Sequence, residues 1–317
     1  MNNKILVTGA FGQIGSELIT ALKNKYGNDS VVAFDKKPNQ EYEGVSIIGD
    51  ITDADLLRSI VTDYKITTVY HLVSLLSAVG ENNPGLAWKV NMDGLRNILE
   101  LAREFNLKVF WPSSIAAFGS TTPRENTPQQ TILEPSTMYG VTKVAGELLC
   151  QYYFAKFGVD VRSLRYPGVI SWKTLPGGGT TDYAVDIFWK ALESGKYTCF
   201  LGENTALPMM YIDDAIRATI EIMDANPENL TIRTSYNLAA VSFTPKELAE
   251  ALNHAGVPTE ITYEPDFRQK IADSWPKSID DSTARKDWGW KHDFDLDKLV
   301  SAMIQGVKQM KEKTFKI

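Results

Sequence analysis

Two short segments of the chain carry side chains that could do acid–base chemistry together. Tyr139 and Lys143 stand four residues apart in Tyr139-Gly-Val-Thr-Lys143, at the start of a stretch with helical spacing, so both lie on one face of a helix. A tyrosine hydroxyl, with an ordinary pKa of about 10, is a poor base near neutrality, but an ammonium beside it favours the phenolate. Upstream, Trp111-Pro-Ser-Ser-Ile-Ala-Ala-Phe-Gly119 follows a short apolar run of the kind buried in parallel sheets, which puts Ser113 and Ser114 where such sheets present functional groups. Together these residues suit the oxidation of an alcohol: Ser114 holds the hydroxyl, Tyr139 takes its proton and a hydride leaves the carbon. Taken singly, each segment has a plainer reading, since a serine can cap a helix and a tyrosine–lysine pair can lie on a surface.

A hydride needs an acceptor, and the first residues of the chain offer a place for one. Gly9-Ala-Phe-Gly12-Gln-Ile-Gly15 follows an apolar run at 4–8 and opens a helical pattern at 13–25 through Ile14, Leu18, Ile19 and Leu22. Glycines there let the backbone approach a pyrophosphate, and the exposed N–H groups of the helix start meet its charge. Asp35 comes twenty residues after Gly15, at the end of the second expected strand, where a carboxylate accepts hydrogen bonds from both ribose hydroxyls and repels a 2′-phosphate. Lys36 and Lys37 could attract that phosphate but are expected to point to solvent, so the cofactor expected is NAD rather than NADP. Asp50 and Ile51, just past the third strand, are placed to flank the adenine, with a surface turn as the alternative.

The elements that must position these groups alternate regularly. Strands are expected at 31–34, 45–48, 68–72, 108–111 and 159–165, and helices at 55–62, 86–105 and 139–157. That order predicts an α/β fold of the Rossmann type, a doubly wound parallel sheet. From Pro167 the pattern changes to the Gly/Pro-rich stretch WKTLPGGGTTDYA, a poor strand or helix former and a good ligand loop. Residues 1–166 are therefore expected to form the NAD-binding domain, with returning segments within 205–255. Residues 167–317 form mainly a smaller, discontinuous α/β substrate-binding domain, with helices at 183–193, 213–223, 245–255 and 296–312. The two long helices at 86–105 and 139–157 are expected to face a second subunit in a homodimer, with covering of their own sheet as the alternative.

Composition narrows the classes of function. Lys and Arg total 33 against 39 Asp and Glu, and a net charge of −6 leaves no broad positive field for a phosphate backbone, so nucleic acid is not an expected partner. The N-terminus lacks the succession of a signal peptide and no apolar run reaches membrane-spanning length, which leads to the expectation of a cytoplasmic protein without a membrane partner. Cys150 and Cys199 are far apart in the sequence and are expected to be packing residues in a reducing compartment. His71, His254 and His292 show no metal-ligand spacing, so no metal is expected and His71 reads as a strand-end or core histidine. Trp275, Trp288 and Trp290 read as packing, with Trp275 the possible exception near a substrate. Asp213-Asp214 suits helix capping.

Through TGAFGQIG, Asp35, PSSIAAFG and YGVTK the chain resembles the extended short-chain dehydrogenase/reductase family over nearly all its length. The resemblance implies that Ser114, Tyr139 and Lys143 form the catalytic set and that Lys143 also touches the nicotinamide ribose. Within the family, HLVSLLSAVGE, LRYPGVISWKTLPGGGTTDYA and SWPKSIDDSTARKDWGW are most similar to the NAD-dependent L-threonine 3-dehydrogenases. That likeness implies oxidation of the 3-hydroxyl of L-threonine to 2-amino-3-oxobutanoate, with Ser77, Gly178 and Thr180 helping to define the amino-acid pocket. The expected substrate contacts are then Ser74, Ser77, Ser114, Tyr139, Gly178, Thr180 and Trp275. Those to the cofactor are Gly9, Phe11, Gly12, Gln13, Ile14, Gly15, Asp35, Asp50, Ile51, Leu72, Tyr139, Lys143 and Tyr166.

Departures from sibling activities point the same way. Sugar-nucleotide dehydratases are expected to carry an acidic pair beside the catalytic hydroxyl, whereas Ser114 is followed by Ile115 and Ala116. Sugar-nucleotide epimerases typically have asparagine after Arg-Tyr-Phe, whereas this chain has Arg165-Tyr166-Pro167-Gly168. Some threonine dehydrogenases would have threonine where Ser114 stands, and both side chains supply a hydroxyl. The three glycines before Thr180 permit a lid over the substrate, with a purely conformational loop as the alternative. The rival functions are an epimerase that retains its NAD and a non-catalytic NAD-sensing protein.

Overall fold

Short apolar runs separated by amphipathic helices build a seven-stranded sheet in the computed structural model, which describes residues 4–175 and 177–314. Its first strands are β1 (Ile5–Thr8), β2 (Val31–Asp35), β3 (Val45–Ile48), β4 (Thr68–His71), β5 (Lys108–Ser114) and β6 (Val161–Tyr166). Next in the chain, β7 (Gly168–Ile170), β8 (Lys196–Cys199) and β9 (Leu207–Tyr211) belong to other sheets, and β10 (Tyr236–Asn237) completes this one. The strand order is β10-β6-β5-β4-β1-β2-β3, and the pairs β1–β2, β2–β3, β1–β4 and β4–β5 are parallel. The chain runs from β1 to β2 and β3 on one side and returns to the other for β4. The C-terminal ends of β1 and β4 therefore flank a topological switch point, where open α/β sheets bind ligands. This is the Rossmann-type sheet expected from the alternation of elements.

Helices cover the sheet as their spacing requires. In α1 (Gln13–Tyr26) the buried residues are Gly15, Leu18, Ile19 and Leu22, one stripe at helical spacing. After α2 (Ala54–Asp63) and α3 (Ser77–Asn82), the single helix expected over 86–105 is divided into α4 (Pro84–Trp88) and α5 (Gly94–Phe105), joined by a π-helical turn at Lys89–Asp93. Apolar spacing continues through such a turn, which is why the pattern alone hides it. Next, α6 (Met138–Phe157) starts on a Thr137 cap, whose Oγ1 accepts from Gly140 N at 3.1 Å. Gly146 lets it lie directly on β5, since a Cβ there would come within 2.4 Å of the Trp111 ring.

The chain divides into two compact units, the first of residues 1–117, 137–165 and 216–236, the second of 118–136, 166–215 and 237–317. The segment 118–136, which the sequence leaves in the first domain, is laced into the second unit: Arg124 Nε donates to Trp275 O (3.0 Å) and Thr127 N to Ser278 O (3.0 Å). The second unit also holds α7 (Tyr183–Ser194). The helix α8 (Ile212–Asp224) straddles the division, and Asp214 near its start accepts the N–H groups of Asp293 and Phe294 at 3.0 Å. Here β9 pairs parallel with β7 and antiparallel with β11 (Val241–Phe243), while α9 (Pro245–His254) begins on a Thr244/Glu247 capping box. The remaining elements are β12 (Glu260–Tyr263), parallel to β8, and the helices α10 (Arg268–Asp273), α11 (Ser282–Trp288) and α12 (Leu296–Thr314). Trp288 and Trp290 pack against each other in a tilted arrangement with centroids 5.7 Å apart.

At the N-terminal edge of the larger sheet, polar side chains serve the fold. Arg162 Nη1 donates to the carbonyls of Ile222 and Ala225 (both 2.6 Å), Lys108 Nζ to that of Met223, and Lys25 and Tyr26 both reach Asp224. The last carbonyls of α8, which the helix itself cannot satisfy, are thus met by side chains.

Candidate active site

The turn after β1 is shaped by what its glycines exclude. Gly9 has φ of +71°, and a Cβ on it would lie 3.0 Å from the backbone of Leu72 and Val73; a Cβ on Gly15 would lie 2.1 Å from Gly9 O. Gly12 occupies the N-cap of α1 with extended backbone and no side-chain cap, and Gln13 and Ile14 follow as the first helical residues. At the end of β2, Asp35 Oδ2 accepts from Phe11 N at 3.0 Å and Oδ1 from Lys37 N at 3.2 Å, which fixes the carboxylate beside the turn. Both lysines are exposed, as expected, with Lys36 Nζ in a long surface contact of 3.5 Å to Asp50 Oδ2. Thr52, through its N–H and hydroxyl, holds Asp50 below the usual carboxylate range. The side chain of Ile51 is in the core, and a Cβ on Gly94 would come within 3.0 Å of it. A glycine cradle that admits no side chain, a helix start and a fixed carboxylate fit the pyrophosphate and ribose of a nicotinamide dinucleotide.

The candidate acid–base residues come from β5 and α6. Strand alternation sends the two serines apart. Ser113 Oγ donates to Glu147 Oε1 at 2.6 Å, and Ser114 hydrogen-bonds Tyr139. Lys143 Nζ donates to Pro112 O at 2.7 Å and lies 4.7 Å from the Trp111 ring centroid and 5.2 Å from that of Tyr139. Glu147, one further turn along α6, is clasped by Arg165 through Nε (2.8 Å) and Nη2 (2.6 Å), a pair almost wholly buried. Burial pushes the Tyr139 phenol up to about 12, opposed by the hydrogen bond with Ser114. Burial also pushes Lys143 down to about 7, opposed by Cys150 and Glu147. Ser114 is thus hydrogen-bonded to the phenol, and Lys143, held by the Pro112 carbonyl, lies 5.2 Å from the same ring centroid.

Around this set the structure adds groups that sequence reasoning missed. Asn91, inside the π-helical turn, accepts from Leu75 N (2.8 Å) and donates to Leu75 O (3.1 Å) and Thr142 Oγ1 (3.1 Å). It ties the loop that carries Ser74 and Ser77 to α6 beside Lys143. Ser74 Oγ is buried without a protein partner, as suits a group that meets a polar ligand. Ser77 begins α3, and Leu72 N donates to Thr8 O at 3.0 Å. Tyr166 is buried at the end of β6. Gly178, Thr180 and Trp275 lie in the second unit, Thr180 and Trp275 both buried. Among the described residues no group of His, Cys, Asp or Glu could hold a metal ion, and no helix is long and apolar enough to cross a membrane.

His71 ends β4 with Nδ1 2.7 Å from Thr8 Oγ1 and Nε2 buried without a partner. Burial, aided by the Lys143 charge, pushes it down to about 3, so the ring is neutral. Once unfolded, the same ring takes up a proton near the ordinary value of about 6.5. Stability that is fully present above that value is thus lost progressively as the pH falls toward about 3. Denaturation midpoints over this window are expected to fall more steeply in the parent than in His71→Gln; equal slopes would exclude His71 as the cause.

Switch point, glycine turn, Asp35 and the Ser–Tyr–Lys set together define an extended short-chain dehydrogenase/reductase. The chain belongs to the NAD dependent epimerase/dehydratase family, whose model matches residues 5–239. More narrowly, it is 52% identical over 307 residues to the mitochondrial L-threonine 3-dehydrogenase of Bos taurus, a match covering 95% of this chain and 82% of the relative. Among solved structures, it is similar to the L-threonine dehydrogenase of Clostridium difficile, with a TM-score of 0.95, 47% identity, and 97% and 98% of the two chains covered. For the holo form of the Cupriavidus necator L-threonine dehydrogenase the TM-score is 0.94 at 54% identity, with 96% and 99% covered.

Proposed function

We propose that the protein oxidises the 3-hydroxyl of L-threonine to 2-amino-3-oxobutanoate with NAD. The observation that carries this reading is the join between β5 and α6, which brings Ser114, Tyr139 and Lys143 together beside a dinucleotide-type turn with no acidic neighbour at Ile115 or Ala116. Ser114 orients the substrate hydroxyl and Tyr139 Oη accepts its proton as the carbon–oxygen bond becomes a carbonyl. The nicotinamide, when bound, supplies the acceptor for the hydride and its electron pair. Lys143 is the group to hold the nicotinamide ribose, Asp35 the adenosine ribose, and Gly9, Gly12 and Gly15 the pyrophosphate. Ser74, Ser77, Gly178, Thr180 and Trp275 are the residues proposed to meet the amino acid. The surface side chains Val141, Leu148 and Tyr152 of α6 support a homodimer. Two free, buried cysteines support a reducing compartment such as the cytoplasm.

The test is NADH formation over a panel of hydroxy amino acids and sugar nucleotides. Turnover of L-threonine is the expected result, whereas turnover of a UDP-sugar with none on L-threonine would replace this reading by the epimerase. Cofactor choice is checked by calorimetry. Asp35→Ala is expected to weaken NAD about tenfold or more and to narrow the gap to NADP. Equal binding of NAD and NADP by the parent would remove Asp35 from that role.

A further inference from the structure

Asp182 stands at the N-cap of α7, where an aspartate ordinarily turns its carboxylate onto the first amides of its own helix. It makes no such cap. Its Oδ2 instead accepts from the N–H groups of Gly177 (2.7 Å), Gly178 (2.8 Å) and Gly179 (2.8 Å). Three successive amides thus converge on one ionisable oxygen, a charge-assisted arrangement stronger than neutral hydrogen bonds. Gly178 turns the chain at φ of +97°, a conformation that strains any side chain. Space binds Gly179 to the same carboxylate, since a Cβ there would lie 2.9 Å from Asp182 Oδ1. Asp182 N closes the turn on Gly179 O at 3.2 Å. The next residue after this turn, Thr180, is buried, and the Thr181 side chain lies against Gly168, where an added Cβ would be 2.7 Å from its Cγ2.

We propose that Asp182 is a positioning residue for the substrate: by gathering the amides of Gly177, Gly178 and Gly179 it holds this segment in the conformation from which Gly178 and Thr180 meet the amino acid. The inference rests on the assignment of Gly178 and Thr180 to the substrate. One carboxylate oxygen satisfies three loop donors at once, so losing it releases the segment while the rest of α7 keeps its packed face.

The experiment compares Asp182→Ala, Asp182→Asn and Asp182→Ser in the intact protein by L-threonine kinetics, NAD affinity and amide hydrogen exchange at the three glycines. In Asp182→Ala, KM for L-threonine is expected to rise roughly ten- to a hundred-fold, with NAD affinity unchanged and faster exchange at Gly177, Gly178 and Gly179. Asp182→Asn, which keeps an oxygen of the same reach, recovers part of the loss. Asp182→Ser discriminates, since serine caps a helix about as well as aspartate but has no second acceptor at that length. Parent KM in Asp182→Ser would show that a carboxylate reaching the three amides is not needed and overturn the proposal, as would faster exchange in Asp182→Ala with KM unchanged. Thr180→Ala separates the two assignments. If it leaves KM unchanged, the substrate assignment itself fails; if it raises KM and Asp182→Ala does not, only the positioning role fails.

Discussion

Replacing Tyr139 by phenylalanine is expected to lower the turnover number for L-threonine by about 100-fold or more, the scale of losing a placed acid–base group, with NAD affinity largely kept. The substitution preserves the ring, and with it the contact to Lys143, and removes only the hydroxyl that hydrogen-bonds Ser114. Its pH dependence has a defined sign. Because burial pushes the phenol up to about 12, the fraction able to accept a proton grows as the pH rises, so kcat/KM for oxidation climbs from neutrality into the alkaline range. Reduction of the ketone, in which the phenol returns the proton, has the opposite slope. Lys143→Ala is expected to lower both turnover and NAD affinity, which distinguishes the two residues. A folded Tyr139→Phe protein that binds NAD and oxidises L-threonine at the parent rate would leave the mechanism without its base.

The largest effect on stability is expected one turn from Lys143. Glu147 and Arg165 are 1% and 4% exposed at the side chain and share two hydrogen bonds, and Ser113 donates to the same carboxylate. Removing one partner of a buried pair costs about 3–5 kcal/mol, far more than a surface pair contributes, because the other charge loses its compensation. Glu147→Ala is therefore expected to lose stability on that scale in urea unfolding. A change under about 1 kcal/mol would mean that the site relaxes or admits water. The consequence reaches the chemistry, because Ser113 lies between Pro112, whose carbonyl holds Lys143, and Ser114, which holds Tyr139.

How far these features were legible depends on whether they are local. Tyr139 and Lys143 could be read because helical periodicity turns a spacing of four into a shared face, and the glycine turn because strand, turn and helix are contiguous. Glu147 continues the stripe of Tyr139 and Lys143, but its meaning comes from Arg165 on β6, which no local pattern announces. Asp182 falls just before the helix expected at 183–193, and only the fold reveals that its carboxylate turns back onto three glycine amides. The strand β7 has three residues and β9 includes Pro208, so neither shows an uninterrupted run of strand formers; their pairing settles the matter. The hydrogen bond from Lys143 to the Pro112 carbonyl is of the same kind, since a sequence does not locate that carbonyl.

The two ends of the larger sheet divide their labour. Gly9, Asp35, His71 and Ser114 lie at or just past the C-terminal ends of β1, β2, β4 and β5, while Lys108, Arg162 and the Lys25–Asp224 contact secure α8 at the other end. For an engineer, this makes heat tolerance and catalytic performance separate design variables. Libraries confined to the α8 anchor would sample melting temperature while leaving the reacting groups in place, so gains in robustness made there need not be traded against rate.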